Sequence, residues 1–221
     1  MNLPFTIDQF MEVFRTYNLA IWPTQIIAYV LGIGALLLAF RPTRFSGRII
    51  SAVLGCFWIL NGAAYHLTFF STINKAAVGF GTLFILQGLL FLWAGVIRTN
   101  LSFRFRADFS SWTGLVIILY ALVVYPLLGY VFGHRFPASP VFGVAPCPTT
   151  IFTFGLFLWL ERRPSFGMLL IPMIWALIGS SAVIVLGVRE DIGLMASALA
   201  SVLILFLRGG KEKDTSGSKP V

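Results

Sequence analysis

The chain has 221 residues, of which 58% are hydrophobic and only 11% charged, and its formal net charge is +8. Soluble domains carry about 25% charged residues, so the composition excludes an ordinary water-soluble fold and indicates a polytopic membrane protein. The positive residues fall in short segments between apolar runs, where they set topology, and no basic stripe with interleaved aromatics is present, which excludes a nucleic-acid partner.

Residues 1–20 form an N-terminal segment of their own. Thr6 followed by Gln9 fits a capping box that opens a helix. Phe10, Met11, Phe14 and Tyr17 recur at helical spacing, with Asp8, Glu12 and Arg15 among them. This pattern predicts an amphipathic helix lying in the membrane interface, with a lid over a pocket as its alternative role. The segment lacks the basic region and apolar core of a signal peptide, so the span that follows is expected to be retained.

Seven apolar spans are expected within residues 21–207, at about 21–40, 48–70, 76–97, 112–132, 147–160, 167–187 and 192–207. The predicted fold class is all-α, a seven-helix transmembrane bundle. The fifth span is short for a crossing. Trp22, Trp93, Trp112 and Trp159 lie near span ends, where interfacial aromatics concentrate. Residues 208–221 contain the run G-G-K-E-K-D-T-S-G-S-K-P and are expected to be a disordered cytoplasmic tail.

Alternate loops differ sharply in charge. One set holds Arg41, Arg44, Arg48, Arg98, Arg104, Arg106, Arg162 and Arg163, and the tail adds Arg208, Lys211, Lys213 and Lys219. The other set holds Arg15, Lys75, Arg135 and Arg189. Twelve positive residues against four place the C-terminus in the cytoplasm and, with seven spans, the N-terminus outside.

Small residues recur on one stripe of three spans: Ala28, Gly32, Ala35 and Ala39; Gly81, Gly88 and Gly95; Gly193, Ser197 and Ser201. Such stripes allow close backbone approach in lipid. They are read as packing faces within the bundle, with homo-oligomerisation through one of them as the alternative. Trp22-Pro23-Thr24-Gln25-Ile26 also parallels Cys147-Pro148-Thr149-Thr150-Ile151, and both spans end in Arg-Pro. With gaps, this relates spans 1–3 to spans 5–7 around a connecting fourth, a 3+1+3 parallel repeat of the kind found in transporters.

Polar groups at membrane depth are costly and mark candidate sites. They are densest between Trp58 and Gln87, which carries Asn61, Tyr65, His66 and Gln87. Asn61 and Tyr65 are one α-helical turn apart and share a face, while His66 points about 100° away from Tyr65. A solute cavity lined by Trp22, Gln25, Asn61, Tyr65, His66, Gln87, Thr149 and Thr150 is expected. A metal site of His66, His134 and Cys147 has suitable donors but no paired spacing. Cys56 and Cys147 lie at different depths and make poor disulfide partners. No cofactor is predicted: the last two spans contain no lysine for a Schiff base. No catalytic or nucleotide-binding motif occurs, so the expectation leans away from an enzyme. No span carries an acidic residue in its middle, and Glu190 and Asp191 are placed between the last two spans.

Four short pieces carry a likeness along most of the chain: Leu3-Pro4-Phe5-Thr6, Tyr17-Asn18 with Trp22-Pro23, Tyr65-His66 ending in Ile73-Asn74, and Pro146-Cys147-Pro148-Thr149-Thr150. In these the chain resembles the bacterial integral membrane family called domain of unknown function 6064. The resemblance implies a bacterial inner-membrane protein. The residues themselves lead to the expectation of a small permease-like protein for a neutral or weakly polar solute. The alternatives are an accessory membrane subunit, or an outer-face metal-dependent protein using His66, His134 and Cys147.

Overall fold

A computed structural model of the protein describes residues 4–216, and side chains as far as residue 208. The fold is helical over 75% of its length, and among the described residues the sole extended pairing is a bridge between Phe103 and Leu160.

Helix α1 (Ile7–Ala20) starts at the expected capping box: Gln9 N donates to Thr6 Oγ1 and Thr6 N donates to Gln9 Oε1. It ends at a turn through Ile21–Pro23, where the chain bends by 85° into α2 (Thr24–Phe40). One face of α1 is tied to the protein. Tyr17 Oη donates to Val144 O (2.9 Å), and Asn18 Nδ2 donates to Pro137 O and Ser139 O. The segment is therefore docked on the bundle rather than only lying beside it.

Among the described residues, five stretches are long and apolar enough to cross a membrane. The first is α3 (Ser46–Leu60), which continues as a π-helix (Asn61–Phe69) and a 3-10 turn to Thr72. The second is α4 (Ala77–Phe91) with a π-helical end (Leu92–Ile97). The third joins α5 (Phe109–Leu119), a π segment (Tyr120–Val124) and α6 (Tyr125–Val131). The last two are α8 (Phe166–Val185) and α9 (Ile192–Ser216), the latter preceded by a 3-10 turn over Arg189–Asp191. Counting the bent α1–α2 pair makes six. The shortfall against seven lies in α2, with 17 residues, and α7 (Pro146–Phe157), with only 12. Since α9 runs to Ser216, part of the segment expected as a tail is helical; its residues 217–221 lie outside the described residues.

Helix α7 is the centre of the molecule. Every residue from Pro148 to Leu160 is buried. Thr149, Thr150 and Thr153 turn their hydroxyls back onto the carbonyls of Ala145, Pro146 and Thr149, so the helix hides its own polar groups. Gly155 lets it approach α5 at Gly114: a methyl group on either glycine would meet the other's carbonyl oxygen within 2.8 Å. Trp159, expected at the membrane interface, is instead buried. Its indole donates to Ser111 O (2.8 Å) and its ring packs on Phe40 and Phe105. Trp22, Trp93 and Trp112 are exposed near the ends of their segments.

The small-residue stripes are used as contact faces. On α4, Gly81, Gly88 and Gly95 meet Gly62, Gly55 and Ser51 of the α3 rod in register. On α2, Ala28, Ala35 and Ala39 are buried and Gly32 seats the Phe142 ring. On α9, Gly193 lies under Tyr120, and Ser201 Oγ donates to Phe154 O.

The bundle has two distinct ends. At the basic end, Arg104 and Arg106 pair with Glu161, Arg104 N donates to Trp159 O, and Arg208 donates to Leu158 O and Leu160 O. At the opposite end, α1 lies over the loop before α7 and against the π-helical end of the α3 rod.

Candidate functional site

The π-helical winding of Asn61–Phe69 decides what this end presents. A π-helix bonds i to i+5 rather than i to i+4, which widens the turn and changes the angle between successive side chains. Asn61, Tyr65 and His66 all point into the protein and are buried. They do so toward different neighbours. Asn61 Nδ2 donates to Phe57 O and Gly143 O (2.8 and 3.1 Å), facing α7. The Tyr65 ring stacks between Phe14 of α1 and Phe70. His66 turns to α4 and α8, ringed by Phe80, Phe84 and Trp175, and neither of its ring nitrogens has a hydrogen-bond partner.

Between α1, the end of the α3 rod, α7 and α8 lies a cavity of about 160 Å³. One wall is the stack of Phe14, Tyr65 and Phe70, buttressed by Phe5 and Phe10 at ring separations of 5.5 and 5.7 Å from Phe70. The opposite wall is Phe80 and Trp175, 5.5 Å apart. Cys147 at the start of α7 and Asp191 at the start of α9 contribute the polar surface, with Asn74 in the loop. Helix α1, through Phe10 and Phe14, closes the cavity as a lid would.

Asp191 and its neighbour Glu190, expected between the last two spans, lie there in the 3-10 turn before α9. Both were assigned to a loop, yet both are buried. Tyr125 Oη donates to Asp191 Oδ1 (2.6 Å), and the Cys147 thiol lies within hydrogen-bonding reach of the same carboxylate. Glu190 Oε1 is 2.7 Å from His134 Nδ1, and its backbone carbonyl accepts from Tyr120 Oη. That pair faces a second cavity, of about 210 Å³, bounded by Tyr125, His134, Arg135 and Glu190. The signal in the sequence is the abrupt onset of an apolar helix directly after Glu-Asp: a carboxylate there sits at a helix N-terminus, where the helix dipole favours it.

Of the eight residues expected to line one cavity, only Tyr65 lines the first. Trp22 is exposed and tilts against Phe136. Gln25 Nε2 donates to Asn18 O, bracing the α1–α2 turn. Gln87 Nε2 donates to Met168 O across α4 and α8. Thr149 and Thr150 are sealed inside α7. The proposed metal donors are separated: His66 sits among aromatic rings, His134 faces Glu190 and Cys147 faces Asp191. Among the described residues no three His, Cys, Asp or Glu side chains converge as a metal site.

The model of a family of unknown function, DUF6064, matches residues 7–214, nearly the whole chain. No curated protein and no solved structure matches.

Proposed function

The chain belongs to the DUF6064 family, and we propose that it is a permease-like membrane protein that binds a small solute in the aromatic cavity beneath α1. The observation that carries this reading is the cavity itself: an apolar cleft with a few convergent polar groups is the usual form of a small-molecule site. At about 160 Å³ it is smaller than the roughly 300–1,000 Å³ of drug-sized sites, so the solute has few heavy atoms.

In this reading seven segments cross the bilayer. Helix α7 runs beside α9 from Cys147 near Asp191 to Leu158 near Arg208, so it joins the same two ends as a full-length span. Helix α2 likewise brings Ala39 to the basic end, where its carbonyl accepts from Phe105 N. The twelve-to-four charge asymmetry puts the basic end in the cytoplasm of a bacterial inner membrane and the cavity on the outer side. Spans 1–3 and 5–7 related as a parallel repeat would place the solute near their junction.

Cys147 reports on the cavity. In a Cys56→Ala background, a small impermeant methanethiosulfonate added outside modifies Cys147, and solutes that bind slow the reaction in proportion to occupancy. A second reading, an accessory subunit without a solute, is favoured by the dense burial of α7. It requires Cys147 to stay unmodified from either side and indifferent to every solute offered.

A further inference from the structure

We infer that the solute of this cavity is a small organic cation, an amine or quaternary ammonium group held between the Asp191 carboxylate and the aromatic walls. The inference rests on the proposed solute-binding role and gives it a chemical class. Three observations converge.

First, Asp191 is 2% exposed and lines the cavity. Among the described residues no Lys, Arg or His nitrogen lies within 4.0 Å of it. The neighbouring acid differs, since Glu190 has His134. The nearest arginine in sequence, Arg189, is turned away, its guanidinium over the Phe132 ring. A buried carboxylate without a counter-charge is costly, and a bound cation would offset that cost. The missing partner is a cation.

Second, the walls are faces and edges of aromatic rings on both sides. Aromatic side chains make up much of the lining, and such rings attract a cation that has shed its water. An ammonium group with alkyl substituents suits such walls, whereas a metal ion needs several converging oxygen, nitrogen or sulfur donors, and no such cluster of His, Cys, Asp and Glu occurs among the described residues.

Third, no Lys or Arg lines the cavity, so an anion would find no counter-charge. Trp175 adds an independent polar feature. It lines the cavity at 8% exposure, and its indole N–H has no hydrogen-bond partner. That donor suits a hydroxyl or carbonyl oxygen carried on the same small cation.

The test uses the full-length protein in proteoliposomes, Cys56→Ala, with Cys147 modification as the readout. Choline and its uncharged carbon isostere, 3,3-dimethylbutan-1-ol, are compared as protectants. Choline is expected to slow modification at concentrations at least about tenfold below those needed for the isostere. The cationic trimethylammonium methanethiosulfonate should likewise outpace the anionic sulfonate reagent, each rate normalised to free cysteine, and Asp191→Asn should abolish both preferences. The comparison of choline with its isostere needs no variant, so it decides the matter even if Asp191→Asn does not fold. Equal protection by the isostere, or no protection by choline while neutral solutes protect, overturns the cation and leaves the solute cavity standing. A Cys147 that no reagent reaches from outside and no solute protects overturns both.

Discussion

At the scale of single residues, the cavity end is held by a few hydrogen bonds in a setting where each is expensive to lose. Tyr125 is the clearest. Its hydroxyl is the donor that fixes Asp191 Oδ1, and both groups are buried. Tyr125→Phe removes the donor without changing the ring, and an acceptor left unsatisfied costs about 1–3 kcal/mol. We expect a lowered unfolding midpoint in detergent of that size, with the helical circular dichroism of the folded state unchanged. A midpoint equal to wild type would mean that another donor serves Asp191. The same residues explain what could be read in advance and what could not. The cost of polar groups in lipid singled out Asn61, Tyr65 and His66, and the structure buries all three. The π-helical winding of Asn61–Phe69 was not legible, because composition gives no sign of that change. The burial of Glu190 and Asp191 was not legible for a related reason. A hydropathy pattern ends a span at the first charge, whereas here the fold carries the two charges inward with it.

At the scale of elements, glycine placement governs the α3–α4 pair. A methyl group at position 88 would lie 2.7 Å from Gly55 O and 2.6 Å from Ile59, whereas one at position 79 on the same helix meets nothing within 4 Å. Gly88→Ala should therefore destabilise by about 1–3 kcal/mol, the usual cost of overpacking, while Gly79→Ala should be neutral or slightly stabilising. Thermal unfolding of the two variants side by side checks this, and equal effects would show that helix propensity rather than contact sets the outcome. The seven-residue recurrence of Gly81, Gly88 and Gly95 made this face legible from the sequence alone. Trp159 was not legible in the same way. Its position at a span end is also that of an interfacial tryptophan, and only the approach of α5 and the loop at Phe105 encloses it.

At the scale of the whole molecule, the alternation of basic and non-basic loops predicted which segments share an end, and the contacts agree: Arg104, Arg106, Glu161 and Arg208 gather at one end. The orientation of that end is testable. In a chain lacking Cys56 and Cys147, a cysteine replacing the exposed Lys75 should react with an impermeant maleimide in intact spheroplasts, and one replacing the exposed Ser102 only after lysis. The reverse pattern would invert the cavity's side. The number of crossings was less legible, because α7 is too short for the hydropathy rule and is apolar for a different reason: it faces protein on every side. That burial bears on how the chain is assembled. Twelve helical residues extend about 18 Å, well short of a hydrocarbon core of about 30 Å. Released alone from the insertion machinery, α7 would gain little by entering the bilayer. Its stable partners include α8 and α9, which are synthesised after it. The enclosure of α7 is thus complete only once the last third of the chain has been made.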